Sequence, residues 1–367
     1  MVLYVSLTIW MFLLLLIGLR KDAQTVVDLW PAKPDDVIVS RNLRVCTVLA
    51  VLTLAVLWFL TAFRAETIGN DTKIYLYYFK IFSEGGIDTT RSFELGYQFL
   101  NVLIGKCTSS PHMFLIVVAT VMYLGTAIGL FAGSKNILLS LCLFFCAFLS
   151  LYFSMLRQGI AMVIALFAYQ ALKKGKTVGS ALLFFCATLF HSSAAVCFLL
   201  YFLPAKLLKK RTLIIIAALA CALLSASGVL NAIGMALLPR YAHYFVSRYA
   251  SSGWLAVSYE VVRNLVFYLF ISIAADPGNR EEKLALSSFT LLLMFSVFGY
   301  AVNLFTRAGQ YFLLIAVVEL PNLMFNGRIK NPRLWMFLIG TVMLASFLVT
   351  LLLRPDWNHL YPYEFWQ

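Results

Sequence analysis

Long uncharged apolar blocks, one after another along the chain, constrain its fold more than any other feature. Each runs for about 15 to 25 residues between short polar punctuations, the length a helix needs to cross about 30 Å of hydrocarbon. Of the 367 residues, 62% are hydrophobic and 12% charged, whereas a soluble domain carries about 25% charge. Lipid is therefore the solvent for most of the chain. The expected fold class is an all-α polytopic membrane protein, one integral membrane domain over residues 1–367 with no separate soluble domain.

Twelve spans are expected: Val2–Leu19, Val45–Phe63, Met113–Ala132, Ile137–Phe153, Gly159–Leu172, Val178–Phe190, Ala194–Leu208, Thr212–Leu238, Val261–Ala275, Leu284–Leu304, Ala308–Phe325 and Leu334–Leu353. The first has Arg20 and Lys21 behind it and no A-x-A-like cleavage site, so it reads as a retained span. The stretch from Val178 to Leu208 is too long for one untilted helix and short for two. Splitting it at His191 keeps the basic run Lys206 to Arg211 in step with the other basic loops; a re-entrant hairpin is the alternative.

Eighteen of the 29 lysines and arginines fall in the short loops after odd-numbered spans, among them Arg41, Lys135, Lys173, Lys209, Arg280 and Arg328. Short basic loops stay in the cytoplasm, which puts both termini and the even-numbered turns outside. The net charge of +13 is thus cytoplasmic anchoring charge, and with no basic domain, RNA-binding signature or zinc spacing there is no nucleic-acid partner. Six of the seven cysteines lie inside apolar blocks, against a disulfide framework. Cys142 and Cys146 share a helix face that reads as a packing seam rather than a metal site, because no histidine or carboxylate is near in sequence.

The outer side then holds the loops 64–112 and 239–260 and the turns at Arg157, His191 and Arg307. Tyr75, Tyr78, Phe79 and Phe82 recur at helical spacing, as do Phe93, Tyr97, Leu100 and Ile104, which predicts amphipathic helices on the outer membrane surface. Arg157 and Arg307 sit where apolar spans end, and an arginine costs about 2.5 to 3.5 kcal/mol at mid-membrane and less near the interface. An anion that meets them is the functional reading; snorkelling to headgroups is the bland one. His191, between two apolar blocks, is either a structural hydrogen-bonder or a proton acceptor near neutral pH.

Arg64, Glu66, Asn70, Asp71, Tyr75, Glu94 and Tyr97 mix carboxylates with aromatics in one loop. Carboxylates bind sugar hydroxyls and aromatic faces pack on sugar C–H surfaces, so the mixture suits a carbohydrate. Arg240, Tyr241, His243, Tyr244 and Arg248 form a second basic and aromatic cluster, equally readable as an interfacial belt. No Walker loop, dinucleotide fingerprint, H-E-x-x-H or nucleophile elbow is present.

Several runs together resemble the EpsG family of polysaccharide polymerases, relatives in role of the Wzy O-antigen polymerases. They are Gly69-Asn70-Asp71-Thr72 with Tyr75, Phe93-Glu94-Leu95-Gly96-Tyr97, Leu156-Arg157-Gln158-Gly159-Ile160-Ala161, Phe190-His191-Ser192-Ser193, Arg307 with Tyr311-Phe312, and Tyr361-Pro362-Tyr363. The resemblance implies a GT-C-like bacterial inner-membrane enzyme that joins undecaprenyl-diphosphate-linked repeat units on the periplasmic side. It implies no metal cofactor, and the bilayer and a chain-length regulator as partners besides the lipid-linked oligosaccharides. On that reading Arg157 and Arg307 hold the diphosphate, and Asp71, Glu94 or His191 takes the acceptor proton. Arg64, Tyr75, Tyr97, Gln158, Arg248 and Tyr311 contact substrate. The rivals are a glycan ligase using the same carrier, a polysaccharide flippase or transporter, whose charges belong near mid-membrane, and a membrane acyltransferase.

Overall fold

The computed structural model describes residues 1–20, 41–85, 93–237, 254–302, 304–354 and 359–367, all of them helix or short connection. The helices are α1 (Val2–Gly18), α2 (Arg41–Ala62), α3 (Thr72–Ser83), α4 (Leu95–Gly105), α5 (Pro111–Gly133), α6 (Ile137–Ser154), α7 (Leu156–Lys173) and α8 (Thr177–Thr188). A 3-10 helix, Ser192–Tyr201, follows. Then come α9 (Ala205–Leu208), α10 (Arg211–Ala226), α11 (Val229–Leu237), α12 (Trp254–Ala274), α13 (Arg280–Phe298), α14 (Leu304–Met324) and α15 (Pro332–Leu353).

Six of these, α2, α5, α6, α12, α14 and α15, are long and apolar enough to cross a membrane, so the chain is an all-α, multi-pass membrane protein. α1, α8, the 3-10 helix and α10 are apolar but shorter. The chain does break at His191, which precedes the 3-10 helix. At about 2.0 Å rise per residue those 10 residues reach about 20 Å, a third further than α-helix of that length. One expected element is corrected: the single span Thr212–Leu238 is two helices, α10 and α11, parted at Ser227 and Gly228. Gly228 takes φ +79°, a left-handed conformation that ends a helix and that glycine adopts without steric cost.

Two helices form the axis of the bundle. α6 is buried on almost its whole circumference, and α14 is buried from Ala308 to Met324 apart from Gln310, as helices apolar all round must be. α2, α12 and α15 surround them and leave Val48, Val262 and Val342 exposed, side chains that lipid covers. α3 and α4 are the two helices expected from aromatic spacing, and their aromatic rows face inward. Phe79 stacks on Phe114 of α5 at 4.6 Å, Tyr78 meets Phe93 at 4.5 Å and Tyr75 meets Tyr97 at 5.8 Å. Aromatic packing of this kind, worth about 0.5 to 1.5 kcal/mol per pair beyond burial, fixes the two short helices to each other and to the bundle.

The two ends of the bundle differ in chemistry. At one end Lys173 Nζ lies 2.7 Å from the buried Glu319 carboxylate, and Tyr169 donates to the same oxygen at 3.1 Å. Arg280 and Arg328 there reach main-chain oxygens of Leu172 and Ala274. The basic loops after α7, α12 and α14 therefore share one end. The turns at Arg64, Glu94, Arg157, His191 and Arg307 gather at the other.

Candidate active site

The site is assembled where helices begin. Asp71 precedes α3, Glu94 precedes α4 and His191 precedes the 3-10 helix, each as the N-cap residue. Arg157 is the second residue of α7 and Arg307 the fourth of α14. Each helix start carries unpaired N–H groups and the positive end of the backbone dipole, so an anion is favoured there before any side chain is counted.

The first of these starts is positioned by the turn that follows α2. Gly69 has φ +88°, and a Cβ on it would come within 2.2 Å of the Phe153 main-chain oxygen at the end of α6. Only glycine fits that contact. The next residues continue it: the Asn70 N–H donates to Ser154 Oγ at 3.1 Å, and Thr72 Oγ1 donates to the Phe153 oxygen at 3.2 Å. Arg64 is fully buried beneath this turn. Its guanidinium donates to the main-chain oxygens of Thr61, Ile68 and Phe153, satisfying the otherwise open carbonyls at helix ends. Burial lowers its pKa to about 10, so it keeps its charge at neutral pH. Arg64 thus supports the turn and offers no surface to a ligand.

Glu94 is the hub. Its Oε2 pairs with Arg157 at 2.5 Å, and its Oε1 accepts from His191 Nδ1 at 3.1 Å and from the Ser192 N–H at 3.0 Å. Burial acts to raise the Glu94 pKa, but the bond to His191, the Arg157 charge and the Ser192 N–H together bring it down to about 2. Because an ionised carboxylate only accepts hydrogen bonds, Nδ1 carries the proton in neutral His191. Nε2 is then the lone-pair nitrogen, and no partner to it is present among the described residues. α4 is brought up to this turn at Gly96, whose N–H donates to the Leu189 oxygen at 2.8 Å; a Cβ there would lie 2.8 Å from that oxygen.

Arg157 sits in an aromatic cage. Its guanidinium carbon is 4.7 Å from the Phe93 ring centre, 5.7 Å from Tyr97 and 6.0 Å from Tyr75, all in cation–π range. Burial pushes the Tyr75 phenol up, against the charges of Arg157 and Arg307, both close enough to oppose it. Side-chain exposures of 23% for Arg157, 16% for Glu94 and 19% for His191 leave the three reachable yet sheltered from bulk water.

Arg307 is joined to the same group through its backbone. Gln158 Nε2 donates to the Arg307 main-chain oxygen at 2.7 Å and to Gln310 Oε1 at 3.1 Å, and Ser193 Oγ meets the Tyr311 hydroxyl at 3.1 Å. Among the described residues no carboxylate lies within ion-pair distance of the Arg307 guanidinium, nor is the Asp71 side chain hydrogen-bonded. Of the residues expected from sequence, the structure brings together Asp71, Tyr75, Glu94, Tyr97, Arg157, Gln158, His191, Arg307 and Tyr311. Arg64 lies beneath them, and Arg248 with its neighbours Arg240 to Tyr244 lies outside the described residues. Sequence reasoning missed two members, Phe93 as the nearest wall of the cage and Gln310. Phe93 shows in sequence only as part of an aromatic row and of the run with Glu94, and Gln310 only as a residue three positions after Arg307 on the same helix.

These clustered residues come from separate stretches of chain, and the family comparison spans all of them: the EpsG family matches residues 47–365. The chain belongs to the EpsG family. EpsG proteins are Wzy-like polysaccharide polymerases. No curated protein and no solved structure matches the chain.

Proposed function

We propose that this EpsG protein polymerises oligosaccharide repeat units carried on a polyprenyl diphosphate, on the outer side of a bacterial inner membrane. One observation carries the reading: Glu94 holds Arg157 with one carboxylate oxygen and His191 with the other, which couples an anion-binding group to a base. Arg157 and Arg307, with the starts of α7 and α14 behind them, bind the diphosphate of the donor and stabilise the charge that grows as its bond to the sugar breaks. His191 Nε2 accepts the proton of the acceptor hydroxyl. The oxygen so freed bonds to the anomeric carbon, the bond from that carbon to phosphate breaks, and the electron pair leaves with the lipid diphosphate. The imidazolium that results is balanced by Glu94 until the proton passes to water.

In this reading Glu94 positions and Asp71, half-buried at the start of α3, binds a sugar hydroxyl. Tyr75 and Tyr97 shape the Arg157 cage, and Gln158 and Tyr311 hold the Arg307 side. Two arginines and two helix starts supply the positive charge, so the reaction is assigned no metal. The outer location is supported by the basic loops at the opposite end of the bundle. Twelve crossings and a GT-C-like arrangement belong to the same reading, supported by the six long apolar helices and the shorter apolar helices among them. A chain-length regulator is a partner of the assembled system.

The test is a His191→Gln variant in cells whose native polymerase gene is deleted, with membrane levels matched to the wild type. Single repeat units on the lipid carrier are expected in place of the ladder of long glycans. Long glycan left on the carrier would make the protein a ligase, and a normal ladder would remove His191 from the reaction.

A further inference from the structure

The proposed reaction leaves one part of its substrate without a place, the isoprenoid tail that follows the diphosphate. Such a tail needs a continuous apolar surface that begins at the phosphates and faces lipid. α4 provides one. Its 11 residues include no charged side chain, and it starts immediately after Glu94, the partner of Arg157. Tyr97, Asn101 and Ile104 turn inward, whereas Leu95, Phe99 and Leu103 form an outward row, Phe99 at 69% exposure. Spacings of four residues keep such a row on one face. From Leu95 to Leu103 it leads away from the arginine site for about 12 Å of helix.

A second row meets it. Val178, Leu182 and Phe185 are exposed along α8, and α8 ends against α4 at the contact of Gly96 with Leu189. Both rows therefore converge on the Glu94, Arg157 and His191 cluster, and both are exposed on the outside of the bundle. An uncharged surface helix capped by an ion-paired carboxylate is matched to an amphiphile with a charged head and a long hydrocarbon tail.

We propose that the outward face of α4, with the neighbouring end of α8, is the track on which the isoprenoid tail of the lipid carrier lies while its diphosphate occupies the arginine site. This rests on the reading given under Proposed function.

The experiment places a photo-crosslinking amino acid at Phe99 and, as the control, at Val342, an exposed position on α15. The full-length protein is reconstituted in vesicles of phosphatidylethanolamine and phosphatidylglycerol with radiolabelled undecaprenyl diphosphate. Labelling at Phe99 is expected at about ten times that at Val342, removed by unlabelled carrier and not by added phosphatidylglycerol. Equal labelling at the two positions, or competition by phosphatidylglycerol, would show ordinary lipid on this face and overturn the track. In turnover, the double variant Phe99→Asn with Leu103→Asn is expected to raise KM about tenfold (about 1.4 kcal/mol) for a full-length carrier. KM for a carrier of two isoprene units should not change, nor should kcat. An unchanged KM ratio would also overturn it. Selective labelling of a wild-type protein that makes no polymer would uphold the track and remove the polymerase reading, so the two fail separately.

Discussion

Gln158 Nε2 spans 2.7 Å to the main-chain oxygen of Arg307, and this contact sets the two arginine-bearing helices level at their starts. At their far ends Lys173 of α7 meets Glu319 of α14 at 2.7 Å. The helices therefore run parallel and are joined by polar contacts at both ends, which fixes how far apart the two guanidinium groups stand.

The arginines should differ in what replaces them. Arg157 uses one edge for Glu94 and its faces for aromatic rings, and a lysine has neither the planar face nor donors held in a fixed fork. Arg157→Lys is expected to lose about as much rate as Arg157→Ala, about 10²- to 10³-fold in the range seen for lost transition-state donors. Arg307, with no carboxylate partner among the described residues, acts more as a free charge, and Arg307→Lys should retain a substantial part of the rate. Initial rates of glycan formation by purified, reconstituted protein measure both. An Arg157→Lys enzyme close to wild type would contradict the caged geometry.

Glu94 gives a pH prediction with a definite sign. Its folded pKa, about 2, lies below the usual 4.5. A carboxyl depressed in this way adds stability that is complete above the unfolded value and is lost as pH falls through the folded one. Thermal stability in detergent should therefore hold between pH 8 and about 5 as far as Glu94 is concerned and decline from about 4.5 towards 2. The Glu94→Gln variant should show a shallower decline over that window, measured by Tm against pH. An identical decline in the variant would mean that Glu94 is not ion-paired.

How much of this was readable from sequence depended on the physics behind each residue. Arg157, His191 and Arg307 were visible because a polar group beside an apolar block is costly and has to be explained by a partner. Arg64 looked the same by that criterion, and only burial separates a guanidinium spent on carbonyls from one reached by substrate. Phe93 was unreadable as a cage wall, since an aromatic residue in a loop has many uses. Six spanning helices stand out by length and composition, and the basic runs placed the break at His191 between α8 and the 3-10 helix, but the 3-10 form of that second segment and the break between α10 and α11 depend on local backbone geometry that hydropathy does not encode.

Gly69 and Arg64 should behave as folding residues rather than substrate contacts. At Gly69 a methyl group would collide with the Phe153 oxygen in a backbone conformation that alanine rarely adopts. Gly69→Ala is expected to lower Tm by several degrees and to reduce the amount of protein in the membrane. Arg64→Met would leave the Thr61 oxygen without its side-chain donor, while the Phe153 and Ile68 oxygens keep only Thr72 Oγ1, at a cost of about 1 to 3 kcal/mol for a buried group left unsatisfied. Its surviving molecules should keep a wild-type KM. A raised KM at unchanged stability would return Arg64 to the site.

The far-end pair offers the last test. Glu319 is 3% exposed and shares its carboxylate with Lys173, Tyr169 and Asn322. Replacing Lys173 with methionine leaves that carboxylate buried without its cation, and breaking a buried pair from one side costs about 3 to 5 kcal/mol. Lys173→Met should therefore fold poorly, while Lys173→Met combined with Glu319→Gln, which removes both charges and keeps an acceptor for Tyr169, should recover most of the lost stability. Detergent melting curves of the single and double variants read the difference directly. If the single variant melts with the wild type, the ion pair does not hold α7 to α14, and the spacing of Arg157 and Arg307 must be set by Gln158 and the packed apolar faces alone.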